Sequence, residues 1–144
     1  MTVRPPGGPP PPSVAYIDGV GTPLAPLADA ICVRYREEFP DERRRYGDAG
    51  EAWCRHDNQW LLSWAVSDVL GATDLCEQVR WLARVLDARA FPVARLARDL
   101  EIAAEVVAAG SFGSLSEAVA ARLGSAALTV AELDLGRPSG ADQR

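Results

Sequence analysis

The residues that most constrain the fold lie between Trp53 and Trp64. Trp53, Asp57, Trp60 and Trp64 follow one another at spacings of four, three and four residues. Because an α-helix has 3.6 residues per turn, these spacings place all four side chains on one helical face. Three indoles on one face can anchor a helix in a core or line a binding site, and the pattern alone leaves both interpretations open.

Helical periodicity also appears on both sides of this segment, and no segment alternates for long as a strand does. The apolar positions at helical spacing are Leu27, Ile31 and Tyr35, then Leu75, Val79, Leu82 and Leu86, then Val93, Leu96, Leu100, Ala104 and Val107. A chain of 144 residues fits one domain. The sequence therefore predicts an all-α protein, a compact helical bundle of about five to six helices joined by short connections.

Glycine, proline and capping residues predict where the helices begin and end. Gly47 separates a short helix from the tryptophan helix at about 48–70, and Thr73 caps the helix that follows. A Ser-x-x-Glu capping box at 114–117 begins another helix, and Gly124 divides it from the last one. The predicted domain spans 24–135, between a disordered Pro/Gly-rich tail at 1–23 and a frayed tail at 136–144.

The N-terminal tail contains a run of four prolines at 9–12, which lack backbone N–H donors. Pro6 and Pro9 also satisfy a PxxP spacing of the kind that aromatic grooves recognise. Only Arg4 provides a flanking basic residue, so a solvated tail is the favoured interpretation and recognition of the tail the alternative.

The charge balance excludes several classes of partner. The formal net charge is −5, and the one basic run, Arg43 to Arg45, follows acidic residues directly, so we predict no nucleic-acid binding. Two arginine rows, the first Arg80 with Arg84 and the second Arg95 with Arg98, could bind an acidic partner or a carboxylate ligand, although a solvated face is favoured. No segment approaches the roughly 20 apolar residues of a membrane span, and no signal peptide is apparent, so we expect a cytoplasmic protein without a membrane partner.

The sequence contains few candidates for catalysis or metal binding. His56 is the only histidine, and Cys54 lies two residues away, where a helix would turn the two side chains apart, so we predict no metal site. Cys32, Cys54 and Cys76 lack CxxC spacing and fit reduced, buried thiols. Asp57 is either paired with an arginine or an indole N–H, or it is an acid at the floor of a ligand pocket.

The central part of the chain resembles a known kind of helical domain. The matching residues are Cys54-x-x-Asp57, then Trp60, Leu61 and Trp64, then Val79-Arg80-Trp81-Leu82-x-x-Val85-Leu86-x-x-Arg89, then Pro92, Leu96 and Leu100. This order, which covers residues 54–107, resembles the helical cap or modulator domain of actinobacterial cobalamin-binding regulators. The resemblance implies a helical bundle that lies over the upper face of a corrin. The chain lacks the D-x-H-x-x-G motif and the corrin-binding module of those regulators, and also the Glu-His pair that light-sensing caps place after a tryptophan.

These observations lead to one functional prediction and two alternatives. We predict a non-enzymatic regulatory or protein-interaction module, without catalytic residues and without an identifiable cofactor. The alternatives are a sensor of a small, apolar or tetrapyrrole-like molecule, and a small helical enzyme with Asp57 as base. A cavity of about 300 Å³ beside Asp57 would favour either alternative. The predicted ligand-binding or partner-binding residues are Trp53, His56, Asp57, Trp60, Trp64 and Trp81.

Trp81 carries the prediction of self-association. Together with Val85 it lies roughly 100° away from the apolar stripe of its own helix, which widens the apolar surface beyond what one contact needs. Trp81 therefore either packs under the N-terminal helix or contributes to a homodimer, and we favour the homodimer over the intramolecular contact.

Overall fold

The computed structural model describes residue 4 and residues 6–133, and within them helices dominate. A hairpin of β1 (Val14–Ile17) and β2 (Val20–Pro23) precedes five helices. These are α1 (Ala25–Glu38), α2 (Asp41–Val69), α3 (Leu75–Ala88), α4 (Val93–Ala108) and α5 (Ser116–Ala131). The predicted helical bundle is confirmed, whereas the predicted tail at 136–144 and the domain end at 134–135 lie outside the described residues. No helix in the described part of the chain is both long and apolar enough to cross a membrane.

The hairpin occupies part of the segment predicted to be a disordered tail, and that prediction is not confirmed. β1 and β2 pair antiparallel, with Val14 opposite Pro23 and Ile17 opposite Val20. Asp18 and Gly19 connect them with φ of 51° and 79°, the two positive values of a type I′ turn. Ala15 is buried in the main core, so the hairpin packs onto the bundle.

Helix α2 changes direction at Gly47, as predicted. Gly47 has φ 62° and ψ −153°, a conformation that is essentially restricted to glycine. At Gly50, three residues later, there is no room for a side chain, because an added Cβ would collide with the Cβ of Tyr46. The residues before the bend, 41–46, therefore form a helical segment distinct from the tryptophan helix that follows.

Two predicted helix starts are wrong in detail. Asp74, not Thr73, caps α3, because its carboxylate accepts a hydrogen bond from the Glu77 backbone N–H at 3.2 Å. The Ser-x-x-Glu box at 114–117 does not cap a helix either. A 3₁₀ turn, Gly113–Leu115, leads into α5, where the Ser116 hydroxyl accepts a hydrogen bond from the Phe112 N–H at 2.8 Å.

Gly124 does not divide the last two helices, since α5 continues through it to residue 131. Glycine inside a helix costs roughly 1 kcal/mol relative to alanine. Its neighbours Leu123, Ala126 and Ala127 are buried, and α5 packs more extensively against α4 than any other pair of helices does. Tertiary burial therefore outweighs the local penalty.

The second arginine row, Arg95 and Arg98 on α4, is paired within the chain. Arg95 binds Glu42 at 2.7 Å and Asp41 at 3.0 Å, and its guanidinium lies 4.5 Å from the centre of the Phe39 ring. Arg98 forms two hydrogen bonds with Glu38, at 2.7 and 2.9 Å. The row thus binds the end of α1 and the start of α2 to α4.

Candidate binding face on helix α2

The tryptophans flank the core without entering it. The buried residues of α2 are Asn58, Leu61, Leu62, Ala65 and Val66. All three tryptophans of α2 lie beside this arc and are half-buried. Trp60, at the centre of the stripe, is therefore not part of the buried core, and these indoles are accessible to a partner.

We define the tryptophan face as Trp53, His56, Asp57, Trp60 and Trp64. At one end of it, the rings of Trp60 and Trp64 lie 5.9 Å apart, centre to centre, with planes inclined by 35°. At the other end, His56 packs edge-on against Trp53 at 5.2 Å, and the guanidinium carbon of Arg89 lies 5.9 Å from the centre of the Trp53 ring. The predicted helical spacing thus brings five of the six predicted residues onto one surface.

Asp57 provides the carboxylate of this face, with 28% of its side chain exposed. Its partner is the adjacent His56, whose Nδ1 lies 3.0 Å from Asp57 Oδ1, rather than the arginine or indole we expected. Burial raises the pKa of Asp57, while the hydrogen bond from His56 and the charge of Arg89 oppose that rise.

The N-terminal segment covers part of the tryptophan face. The Trp53 indole N–H donates a hydrogen bond to the carbonyl of Arg4 at 2.6 Å. The Gln59 side-chain amide donates to the carbonyl of Pro12 at 3.4 Å. Pro6, Pro11 and Pro12 are half-buried, whereas residues 7–10 are exposed. Both ends of the proline-rich segment therefore contact α2, a long-range pairing that the sequence pattern did not predict.

Trp81 does not belong to this face. It lies on α3 with 59% of its surface exposed, and no aromatic contact among the described residues includes it. The predicted contact under the N-terminal helix is therefore wrong, because such a contact would bury the ring. The homodimer remains a prediction.

A buried polar cluster that the sequence analysis missed lies behind the tryptophan face. Asn58, only 2% exposed, donates through Nδ2 to Asp99 Oδ1 at 3.1 Å and to the Cys54 carbonyl at 2.9 Å. Asn58 Oδ1 is buried without a hydrogen-bond partner. Burial raises the pKa of Asp99 to about 7 although the Asn58 hydrogen bond lowers it. One clue was available, since Asp99 lies next to Leu100 and three residues after Leu96 in the apolar stripe of α4.

Two cavities stand out in the described part of the chain, and neither includes Asp57 or a tryptophan. The larger, about 460 Å³, lies between α4 and the end of α5 and is lined by residues such as Val93, Ala97 and Val130. The smaller, about 10 Å³, lies at the bend of α2. These two cavities therefore do not provide the pocket beside Asp57 on which the sensor and enzyme alternatives depend.

Among the residues described, no group of three or more His, Cys, Asp or Glu side chains is arranged to hold a metal ion. No protein-family model, curated protein or solved structure matches this chain. The geometry of α2 and its neighbours is therefore the basis for the functional argument.

Proposed function

We propose that this chain is a protein-interaction module whose tryptophan face binds proline-rich segments, and that its own N-terminal segment, which contacts α2 through Arg4 and Pro12, covers part of that face. The observation that carries the proposal is the hydrogen bond from the Trp53 indole to the Arg4 carbonyl, at the start of that segment. A partner with a similar segment would use the same donors after displacing the chain's own.

The chemistry of proline-rich peptides supports this choice of partner. Such peptides adopt an extended polyproline helix without internal hydrogen bonds, so their carbonyls remain free to accept. Aromatic grooves use indole donors for those carbonyls and ring faces for the pyrrolidine rings. Trp53 and Gln59 already donate to two carbonyls of this kind, and the Trp60 and Trp64 rings extend the aromatic surface.

The intramolecular segment would regulate the binding of a partner. A segment tethered by a short flexible linker has an effective concentration in the millimolar range. A partner peptide must compete with it, so weakening the segment should increase the apparent affinity for an added peptide. The module would then respond to anything that removes or modifies its N-terminus.

A peptide titration tests the proposal in the full-length chain. The probe is a synthetic peptide with the sequence of residues 4–14, and the receptor carries Ala at Pro9, Pro10, Pro11 and Pro12 to weaken the intramolecular contact. Nuclear magnetic resonance of the four indole N–H groups reports binding, and the loss of one signal in Trp53→Phe identifies the Trp53 resonance. We expect that resonance to shift at lower peptide concentration in the alanine variant than in the wild type.

Matched variants distinguish peptide binding at the tryptophan face from nonspecific peptide binding. Trp53→Phe keeps a ring but removes the donor and should weaken peptide binding about fivefold to tenfold, as expected for one hydrogen bond of about 1 kcal/mol. Trp81→Phe, at an exposed indole outside the face, should leave binding unchanged. A peptide with Ala in place of every Pro should not bind. The proposal fails if the Trp53 resonance does not move at about 1 mM peptide, the concentration range of the tethered segment.

The enzyme alternative has less support. Asp57 Oδ1 already lies within hydrogen-bond distance of His56, and neither cavity described above includes Asp57. A general base needs a substrate proton within hydrogen-bond reach, which requires a site that admits a substrate.

A second candidate is the tetrapyrrole-like sensor that the family resemblance implies. The half-exposed Trp60 and Trp64 rings, inclined by only 35°, offer a flat aromatic surface against which a macrocycle could pack. Hydroxocobalamin is the probe, monitored by its visible absorbance and by tryptophan quenching. Binding that Trp60→Ala or Trp64→Ala abolishes and Trp81→Ala preserves would favour this candidate, whereas an unchanged absorbance spectrum would contradict it.

A further inference from the structure

Two cysteines on neighbouring helices face each other. Cys32 on α1 and Cys54 on α2 have their Sγ atoms 2.6 Å apart. A disulfide bond has an S–S length of about 2.05 Å, so the sulfurs need to approach by only about half an ångström. The Asn58 Nδ2 lies 3.6 Å from the Cys32 sulfur and 3.5 Å from the Cys54 sulfur. The proposed peptide-binding function uses neither thiol.

Only one of these thiols is accessible, and only to a small reagent. Cys32 is 1% exposed. Cys54 lines the cavity of about 10 Å³ at the bend of α2, together with Tyr35, Gly47, Gly50 and Glu51. That volume holds about one water-sized molecule. Hydrogen peroxide is close to this size, whereas a bulky disulfide such as oxidised glutathione is far larger.

We propose that Cys32 and Cys54 form a reversible disulfide when hydrogen peroxide reaches Cys54. In the first step the deprotonated Cys54 sulfur attacks one peroxide oxygen, the O–O bond breaks, and the departing hydroxide takes up the thiol proton as water. In the second step the Cys32 sulfur attacks Cys54 Sγ, the S–O bond breaks, and the hydroxide leaves as water with the Cys32 proton. Two thiols and one peroxide thus give one disulfide and two waters, with each sulfur losing one electron.

The surroundings of the pair make the reaction slow. The hydrogen bond with Cys32, and then burial, raise the pKa of the Cys54 thiol. Because the thiolate is the nucleophile, a protonated Cys54 reacts slowly, and the pair stays reduced until peroxide accumulates. The disulfide would close a loop between positions 22 residues apart, which should raise the melting temperature by on the order of 10 °C.

Peptide mapping of the full-length chain tests the proposal. The chain has no lysine, so trypsin cuts after arginine, and its three cysteines fall in separate peptides, 1–34, 46–55 and 56–80. The protein is treated with hydrogen peroxide, alkylated and digested. We expect a mass loss of two hydrogens, a cross-link between peptides 1–34 and 46–55, and reversal of both by dithiothreitol.

The third cysteine is the matched control. Cys76, half-buried on α3 with its sulfur 3.4 Å from the Thr129 hydroxyl, has no thiol partner among the described residues. Cys76→Ser should give the same cross-link, whereas Cys32→Ser should give none and should accumulate a sulfenic acid at Cys54 that dimedone traps. A cross-link that contains Cys76, or oxidation of Cys54 beyond the sulfenic acid without a cross-link in the wild type, would overturn the proposal. If Cys32→Ser fails to fold, the wild type and Cys76→Ser still decide the matter.

Discussion

Replacing Asp99 with asparagine should stabilise the protein at pH 8 and change its stability little at pH 4. Asp99 is buried in α4 and accepts one hydrogen bond from Asn58. Burial raises its pKa from 3.8 to about 7. Between these two values the folded protein keeps the proton and the unfolded chain releases it. Between these pH values, folding is therefore coupled to the uptake of a proton by Asp99.

The direction of the pH dependence follows from this difference. Because the folded pKa lies above the unfolded one, the contribution of Asp99 to stability is fully present below about pH 4 and is lost as the pH rises through about 7. A difference of about three pKa units corresponds to about 4 kcal/mol, which is an upper value because a buried site relaxes when it ionises. Asparagine has no charged form and avoids this loss. The asparagine side chain also carries an N–H donor, as a protonated carboxyl carries an O–H donor. Asn58 Oδ1, in the same cluster, has no hydrogen-bond partner.

Urea unfolding monitored by circular dichroism between pH 4 and pH 8 measures the effect. The free energy of unfolding of Asp99→Asn should exceed that of the wild type by an amount that grows to about 2–4 kcal/mol at pH 8. Carboxylates with lowered pKa, such as Glu38 and Asp41, have the opposite pH dependence, but both proteins contain them and they cancel. Asp48→Asn, at a side chain that is 98% exposed, is the control and should show no such growth.

A difference that stays constant with pH would refute the reasoning, and so would a variant that is less stable than the wild type at pH 8. Either result would mean that Asp99 is ionised in the folded protein and that its surroundings favour the charge. Asp99 would then raise the free energy of unfolding at pH 8 instead of lowering it.

Two further predictions concern backbone strain and self-association. Gly47→Ala should lower the free energy of unfolding by about 1–3 kcal/mol because of the positive φ, whereas Gly124→Ala, with open space around the added Cβ inside α5, should raise it by about 0.5–1 kcal/mol. Urea unfolding measures both variants, and equal effects would contradict the assignment of strain to the bend. The wild type should sediment as a dimer at micromolar concentration, and Trp81→Glu should sediment as a monomer with an unchanged melting temperature because Trp81 is exposed. A monomeric wild type would remove the argument for the homodimer.

The helices were predictable because local features specify them. The apolar stripe of α3 and α4, the proline before α4 and the glycine at the bend of α2 each act within a few residues. The hairpin at 14–23 was missed although Asp18-Gly19, the strongest short turn signal, lies between Ile17 and Val20. Its two strands have only four residues each, which is too short for alternation to be visible against a proline-rich background.

The sequence predicted which residues share the candidate binding face, but not how deeply they are buried. Spacing placed Trp53, Asp57, Trp60 and Trp64 on one face, as the structure has them. Whether that face lies in the core depends on where α1, α4 and α5 pack. The periodicity of one helix carries no information about the positions of the other helices. The contacts of residues 4 and 12 with α2 join positions that are 49 and 47 residues apart in the sequence, so no local pattern encodes them.

Several polar groups of the core lie where α1, α2 and α4 meet. Here the core contains Cys32, Cys54, Asn58 and Asp99. Asn58 Oδ1 is one of two buried side-chain oxygens without a hydrogen-bond partner in the described part of the chain, and the other, Gln78 Oε1, lies on α3. The core that α4 and α5 share is almost entirely apolar. In natural proteins, groups that break the packing rules of a core are found at functional sites or at strained ones. The surface of helix α2 presents the tryptophan face, so Cys54 and Asn58 of this cluster share a helix with the surface we propose for binding.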